Sequence, residues 1–290
     1  MYVMLGATGQ VGSNVLKTLQ ELEPDARIRI VARRRPDRLE ECIEWHAADV
    51  MHDVERLASA FQGATAVFVM NPVPPDAEDV YRDAAKISAT IAAAIEKAGR
   101  PRSVALSSQG AHLPEGTGVI TALHDFETAL HRTGAPLTYV RSTFFMESWL
   151  PFAAAAMETG QWWAMRDPPD MQDSAVSARD VGAVIAQCLL DAASPAVVNV
   201  TGVNRYSEND AASIWASLIG RAIEVVPVPA AERAYVLEGA GLGLSYARAL
   251  SDMYNALDAG RVPFEPAPDT RYGATSLDEV LRAGVPNTPG

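Results

Sequence analysis

The chain has 290 residues, 48% hydrophobic and 21% charged, enough to bury one large core with a smaller lobe and outside the composition of disordered or fibrous chains. Its net charge of −12 repels nucleic-acid phosphates and anionic membrane surfaces, no run of about 18 apolar residues offers a membrane span, and Met1 to Leu5 runs into a glycine turn without a signal-peptide pattern. A cytoplasmic protein with no nucleic-acid and no membrane partner is expected, and neither Cys42 and Cys188 nor His46 and His52 around Asp49 have the spacing of a disulfide framework or a metal site.

Short β-branched runs alternate with helical patterns over the first 142 residues. Strands are predicted at Val3 to Leu5, Arg27 to Val31, Ile43 to His46, Ala66 to Met70, Ser103 to Ser107 and Leu137 to Arg141, with helices near Val11 to Glu23, Val54 to Phe61, Ala77 to Ala98 and Ala122 to Arg132. In the third of these helices Ala84, Ile87, Ser88, Ile91, Ala94 and Ile95 make a stripe at spacings of three and four that suits packing on a sheet. After Phe144 the rhythm changes. An alanine-rich helix is predicted from Ser148 to Gly160, an irregular segment or short hairpin around Trp162, Trp163 and Pro168-Pro169, a helix from Arg179 to Asp191 started by Ser177, a strand at Val197 to Val200, and a loop from Pro263 to Asp269.

This order predicts an α/β protein: a Rossmann doubly wound parallel sheet with a smaller α+β C-terminal substrate lobe. The Rossmann domain is placed at residues 1–147 with return segments near 174–202, the smaller lobe at 148–173 and 203–285, and a tail at 286–290.

Gly6-Ala7-Thr8-Gly9-Gln10-Val11-Gly12 follows the first strand and opens the first helix. By itself such a run reads either as a tightly packed turn or as a dinucleotide cradle; the strand before it and the amphipathic helix after it favour the cradle. The first glycine permits the turn, the second lets backbone approach a pyrophosphate, the third lets the helix pack closely, and the free amides of the helix start face the phosphates. The second strand ends in Arg33-Arg34-Arg35 with no carboxylate to accept from a ribose 2′-hydroxyl, so Arg33 first and Arg34 second are candidates for a 2′-phosphate, pointing to NADP(H) rather than NAD(H).

With that turn, Asp49-Val50 after the third strand, Leu106-Ser107-Ser108-Gln109-Gly110-Ala111 after the fifth and Val140-Arg141-Ser142-Thr143-Phe144-Phe145-Met146-Glu147 after the sixth, the chain resembles the NmrA-like atypical short-chain dehydrogenase/reductases. Its C-terminal layout is similar to that of bacterial NADPH:quinone reductases of this family. The resemblance implies that Asp49 and Val50 lie by the adenine, that Met70, Asn71 and Pro72 line the cofactor groove, and that Ser107 and Ser108 lie near the nicotinamide end. It also places Phe144 to Trp149 at the mouth between lobes, where Phe144, Phe145 and Trp149 read either as an apolar shelf for a flat substrate or as core packing.

The Tyr-x-x-x-Lys proton relay usual in short-chain dehydrogenases is absent: the only lysines, Lys17, Lys86 and Lys97, have no tyrosine four residues before them. His124, in an H-x-x-E run with Glu127, is the candidate general acid/base, against the plainer reading of a histidine at a helix start, exposed or bonded to a backbone carbonyl, with Glu127 as a charge on the helix face. The expected function is NADPH-dependent reduction of a small conjugated acceptor such as a quinone, where orienting the nicotinamide matters more than a side-chain proton. The alternative is a non-catalytic NADP(H)-binding redox sensor acting on a protein partner. Oligomeric state is left open.

Overall fold

The computed structural model describes residues 1–36, 39–40, 43–265, 267 and 269–285. Cys42 and the 286–290 tail of the sequence reading lie outside them.

The elements run β1 (Tyr2–Leu5), α1 (Gln10–Leu22), β2 (Ile28–Ala32), β3 (Ile43–Ala47), α2 (Val54–Phe61), β4 (Ala66–Val69), α3 (Val80–Lys97), β5 (Ser103–Ser108), α4 (Thr121–Arg132), β6 (Leu137–Ser142), β7 (Phe144–Phe145), α5 (Leu150–Thr159), β8 (Gln161–Ala164), β9 (Asp173–Val176), α6 (Ala178–Leu190), β10 (Val197–Gly202), β11 (Arg205–Tyr206), α7 (Glu208–Ile219), β12 (Glu224–Pro227), α8 (Arg233–Gly239), α9 (Leu244–Asp258), β13 (Asp269–Gly273) and α10 (Leu277–Ala283). Eight strands form one sheet in the order β13-β10-β6-β5-β4-β1-β2-β3, every neighbouring pair parallel. This is the α/β Rossmann architecture the strand-helix alternation predicts.

Both faces of the sheet are buried, which is why β4 is an unbroken apolar run: Ala66, Val67, Phe68 and Val69 are all inaccessible. Met4, Ile28, Ile30 and Phe68 face α1 and α6, while Val3, Leu5, Val67 and Val69 face α2, α3 and α4. Helices α1 and α6 approach so closely that a Cβ on Gly182 would lie 2.6 Å from the Asn14 Cβ. The stripe on α3 is buried at Ala84, Ile87, Ser88, Ile91, Ala94 and Ile95, as its spacing requires. Among the described residues no helix is long and apolar enough to cross a membrane.

Two short sheets, β11-β9-β7 and β12-β8, stand apart from the large one. Trp162 and Trp163 belong to β8, which corrects the expected irregular segment or hairpin: β8 pairs in parallel with β12, some sixty residues on, a partner no local pattern names. Trp162 is buried and Trp163 exposed, the alternation of a one-sided strand. The expected loop from Pro263 stops short at its far end, since Asp269 opens β13 at the edge of the large sheet; Pro266 and Pro268 lie outside the described residues. Capping boxes at Ser207/Asp210 and Ser276/Glu279 start α7 and α10.

Arg166 is buried and held by the carboxylates of Asp173 and Asp258, and Asp258 also accepts from the fully buried Arg233 at 2.6 Å. Beside them, Glu208 accepts from Trp162 Nε1 at 3.3 Å and from the backbone N–H groups of Met165 at 2.9 Å and Arg166 at 3.1 Å, pinning the start of α7 to the end of β8. Burial outweighs these bonds and pushes the Glu208 carboxyl up to about 7. A carboxyl whose folded pKa lies above its ordinary value of 4.5 holds an extra proton in the folded state, so its stabilising contribution is complete below about pH 4.5 and is lost as pH rises through 7. Urea unfolding across this interval is expected to show stability falling by on the order of 3 kcal/mol, a slope that Glu208→Gln removes.

Candidate functional site

Chain order fixes where a site can form. From β1 the chain winds outward through β2 and β3, then returns to β4 on the other side of β1 and continues through β5, β6, β10 and β13, so the winding reverses between β1 and β4. At such a reversal the connections leave on opposite faces and open a crevice at the carboxyl ends of the strands.

The β1–α1 turn lies in this crevice. Gly6 has φ +64, and a Cβ there would lie 2.5 Å from Met70 Sδ, on the residue that follows β4. A Cβ on Gly12 would overlap the Gly6 carbonyl oxygen, so the third glycine lets α1 close onto the turn itself. Gly9 differs: its Cβ would meet only the Gly6 oxygen, at an ordinary 3.4 Å. The protein alone does not require glycine at Gly9. Gly9 donates its N–H to Gly6 O at 2.9 Å and accepts from Ser13 N at 2.9 Å, while the amides of Gln10, Val11 and Gly12, the first of α1, find no acceptor among the described residues. Thr8, Gly9 and Gln10 are exposed on the crevice side, and Val11 is buried under them. Three unpaired N–H groups at the positive end of a 13-residue helix, with no side-chain cap, form an anion cradle.

Arg33 and Arg34 follow β2 at the same edge of the sheet, exposed and with no partner among the described residues. Asp49, after β3, shapes its own loop: its carboxylate accepts from Met51 N at 2.8 Å and its N–H donates to Asp53 Oδ2 at 2.9 Å, leaving Val50 half-buried against the core. After β4, Asn71 Nδ2 donates to Ala84 O and Ser88 Oγ, both at 2.9 Å. That fixes the amide and leaves Asn71 Oδ1 buried without a donor, an acceptor available to a bound group, next to the exposed Pro72. Ser88 escaped sequence reading because it sits in an apolar stripe.

At the end of β5 the structure gives Ser107 a different task from Ser108. Ser107 is buried and donates to Glu127 Oε1 at 2.5 Å, whereas Ser108 is half-exposed. Glu127 is no solvent-facing helix charge: it is buried at 7% and receives Arg141 Nε at 2.9 Å and Arg141 Nη2 at 2.5 Å. Arg141 is buried at 5% and reaches Glu265 with its other nitrogen at 2.5 Å. This pair locks α4 to β5 and β6. One signal for it was legible: a charged residue within the apolar run of β6 must find a buried partner.

His124 lies one turn before Glu127, and its Nδ1 lies 2.9 Å from the Ala111 carbonyl oxygen. A carbonyl only accepts, so Nδ1 carries the hydrogen and donates it to Ala111. Phe144 packs on Trp149 with ring centroids 5.2 Å apart at 49°. Trp149 is buried at 2%, so it backs Phe144, while Phe144 and Phe145 are half-exposed. Glu147 accepts from Ser177 Oγ at 2.7 Å and Ala178 N at 2.9 Å and so caps α6. Asp49, Asn71, Ser107 and Ser108 thus join the glycine turn along the carboxyl edge, with His124 on α4 and Phe144 after β6 bordering it.

Removing one partner of the Arg141–Glu127 pair strands the other. Arg141→Met is expected to cost about 3–5 kcal/mol in urea unfolding, with Glu127→Gln less costly because it leaves no buried anion.

A family model for the NmrA-like family matches residues 2–268. The chain is 28% identical over 260 residues to an NAD(P)H azoreductase from Xenophilus azovorans, covering 88% of this chain and 86% of the relative. It superposes on an NADPH-dependent quinone oxidoreductase from Escherichia coli, crystallised with NADPH, with a TM-score of 0.81 at 22% identity over 98% of this chain and 99% of that one. For the triphenylmethane reductase of Citrobacter sp., complexed with NADP(H), the TM-score is 0.80 at 19% identity over 98% of this chain and all of that one. Those two likenesses carry the fold, and the family match carries membership: this chain belongs to the NmrA-like family.

Proposed function

We propose that the chain is an NADPH-dependent reductase of small, flat, conjugated acceptors such as quinones. The observation that carries this reading is the cradle at the strand-order reversal, three unpaired amides behind a glycine whose missing side chain the protein itself does not need. The azoreductase relative supports the same chemistry, since an azo group is also a conjugated acceptor of hydride.

The residues fit the dinucleotide. The amides of Gln10, Val11 and Gly12 with Gly6, Thr8 and Gly9 would take the pyrophosphate, Arg33 and Arg34 the 2′-phosphate, and Asp49 and Val50 the adenine side. Met70, Asn71, Pro72, Ser107 and Ser108 would take the nicotinamide half. When bound, reduced nicotinamide supplies a hydride. The protein then has to orient the acceptor, exclude water and stabilise the charge that develops, and with no Tyr-x-x-x-Lys relay the acceptor takes its proton from solvent. Phe144, backed by Trp149, would give a flat acceptor its apolar face. His124, with its Nδ1 hydrogen committed to Ala111, would position the loop after β5.

Calorimetric titration with NADPH and NADH, followed by a quinone panel with reduced-nicotinamide absorbance as readout, tests the assignment. NADPH is expected to bind more tightly and to be consumed by quinones; tight binding without turnover on every acceptor would replace the reductase with a binding-only sensor. Arg33→Ala and Arg34→Ala are expected to weaken NADPH binding by about 10-fold or more for the residue that pairs the phosphate, leaving NADH unchanged. Gly9→Ala should keep the urea midpoint of the parent and lose most NADPH affinity, since its Cβ would intrude on the ligand and on nothing else.

A further inference from the structure

Helix α9 is fastened to the Rossmann domain at two places. At its start, Gly243 donates its N–H to Pro75 O at 2.9 Å, and Ser245 Oγ accepts from Val80 N at 3.0 Å. Pro75 belongs to the connection that begins with Asn71 and Pro72. One to two turns further on, the backbone of Ala249 to Met253 lies against Gly118, which has φ +60 and no room for a Cβ, in the segment that leads into α4 and His124. The first turns of α9 therefore span the connections leaving β4 and β5, beside the nicotinamide half of the proposed groove.

Tyr246, Leu250, Met253 and Leu257 recur at spacings of four, three and four, so they share the inward face of α9. Three of them do what an inward stripe does: Leu250, Met253 and Leu257 pack into the core with Ile120, Leu123, Phe144 and Phe152. Tyr246 does not. It joins none of the hydrophobic clusters, remains half-buried, and its hydroxyl has no hydrogen-bond partner among the described residues. The hydroxyl is not among the buried unpartnered polar atoms, so it opens to solvent, and an accessible phenol on a face that otherwise packs inward has its O–H available to a bound group.

We propose that Tyr246 is a catalytic residue of the reductase, donating a hydrogen bond from its hydroxyl to the acceptor heteroatom on which negative charge builds as hydride arrives. This rests on the reductase reading above. The acceptor gains a hydride, and with it two electrons, NADPH is left as NADP+, and a proton from water completes the reduced acceptor. Tyr246 keeps its own proton throughout. Burial raises the phenol above its usual range, which suits a permanent donor and not a proton relay. It also supplies a donor that His124 Nδ1 does not, since that hydrogen is given to the Ala111 carbonyl. A donor aimed at developing charge acts on the transition state more than on the bound acceptor.

The test is Tyr246→Phe, which removes one oxygen and keeps the ring. With a quinone and an azo dye as acceptors, kcat is expected to fall about 10- to 100-fold, with KM for the acceptor changing by less than about threefold, while the NADPH dissociation constant and the urea midpoint stay those of the parent. Binding of a naphtholate anion to the NADP+ complex, read by its absorbance shift, is expected to weaken about 10-fold in the same variant. Unchanged kcat and unchanged naphtholate binding in Tyr246→Phe, with an active parent, overturn the role of Tyr246 and leave the reductase standing. A loss of NADPH affinity that accounts for the whole rate defect also overturns it. A parent that binds NADPH and reduces no acceptor overturns both.

Discussion

Everything at this site hangs on the contact between Gly6 and Gly12. The chain leaves β1, reverses in a left-handed glycine, and one helical turn later passes so close that Gly12 has no room for a single carbon against the Gly6 carbonyl. That contact sets the angle at which α1 leaves the sheet and aims the amides of Gln10, Val11 and Gly12 into the crevice rather than onto the strand ends. Met70 closes the other side, its sulfur against Gly6, so the turn is gripped from β1, α1 and β4 together. An anion site built this way is preorganised: its donors are backbone groups that have no other conformation to relax into.

Buried charge performs a complementary task in both halves of the molecule. Glu127 and Arg141 tie α4 to the strands whose ends carry Ser107 and Ser108, and Ser107 is drawn into that pair as a third donor. In the smaller lobe Arg166 and Arg233 share Asp258, with Asp173 on the far side and Glu208 beside them. Charges taken out of water in this way contribute little net stability over apolar packing, yet each leaves a severe penalty if its partner is misplaced. They therefore set the orientation of α4 and of α7, α8 and α9 relative to the strands, and through α9 the position of Tyr246.

Periodicity made much of the fold legible. Strand runs of four to six residues with both faces apolar, and a stripe on α3 at three- and four-residue spacing, allow few architectures other than helices on both faces of a parallel sheet. The glycine turn was legible because its first and third glycines are demanded by the backbone itself. What escaped were features whose partners lie far away in sequence: the pairing of β8 with β12, the eighth strand β13 beside β10, and Ser88 as the group that fixes Asn71. Local pattern carries no information about such partners.

By itself, then, the sequence determined the winding of the Rossmann half, the place of the glycine turn and the lack of a Tyr-x-x-x-Lys motif, since each depends on residues close together in the chain. Only the tertiary structure decided what the individual side chains do with their hydrogen bonds. It gave Glu127 to Arg141 and not to solvent, committed the Nδ1 hydrogen of His124 to a carbonyl, sealed Trp149 behind Phe144, and left the Tyr246 hydroxyl without a partner among the described residues. A side chain's role follows from which groups compete for its donors and acceptors, and that competition exists only once distant segments are packed together.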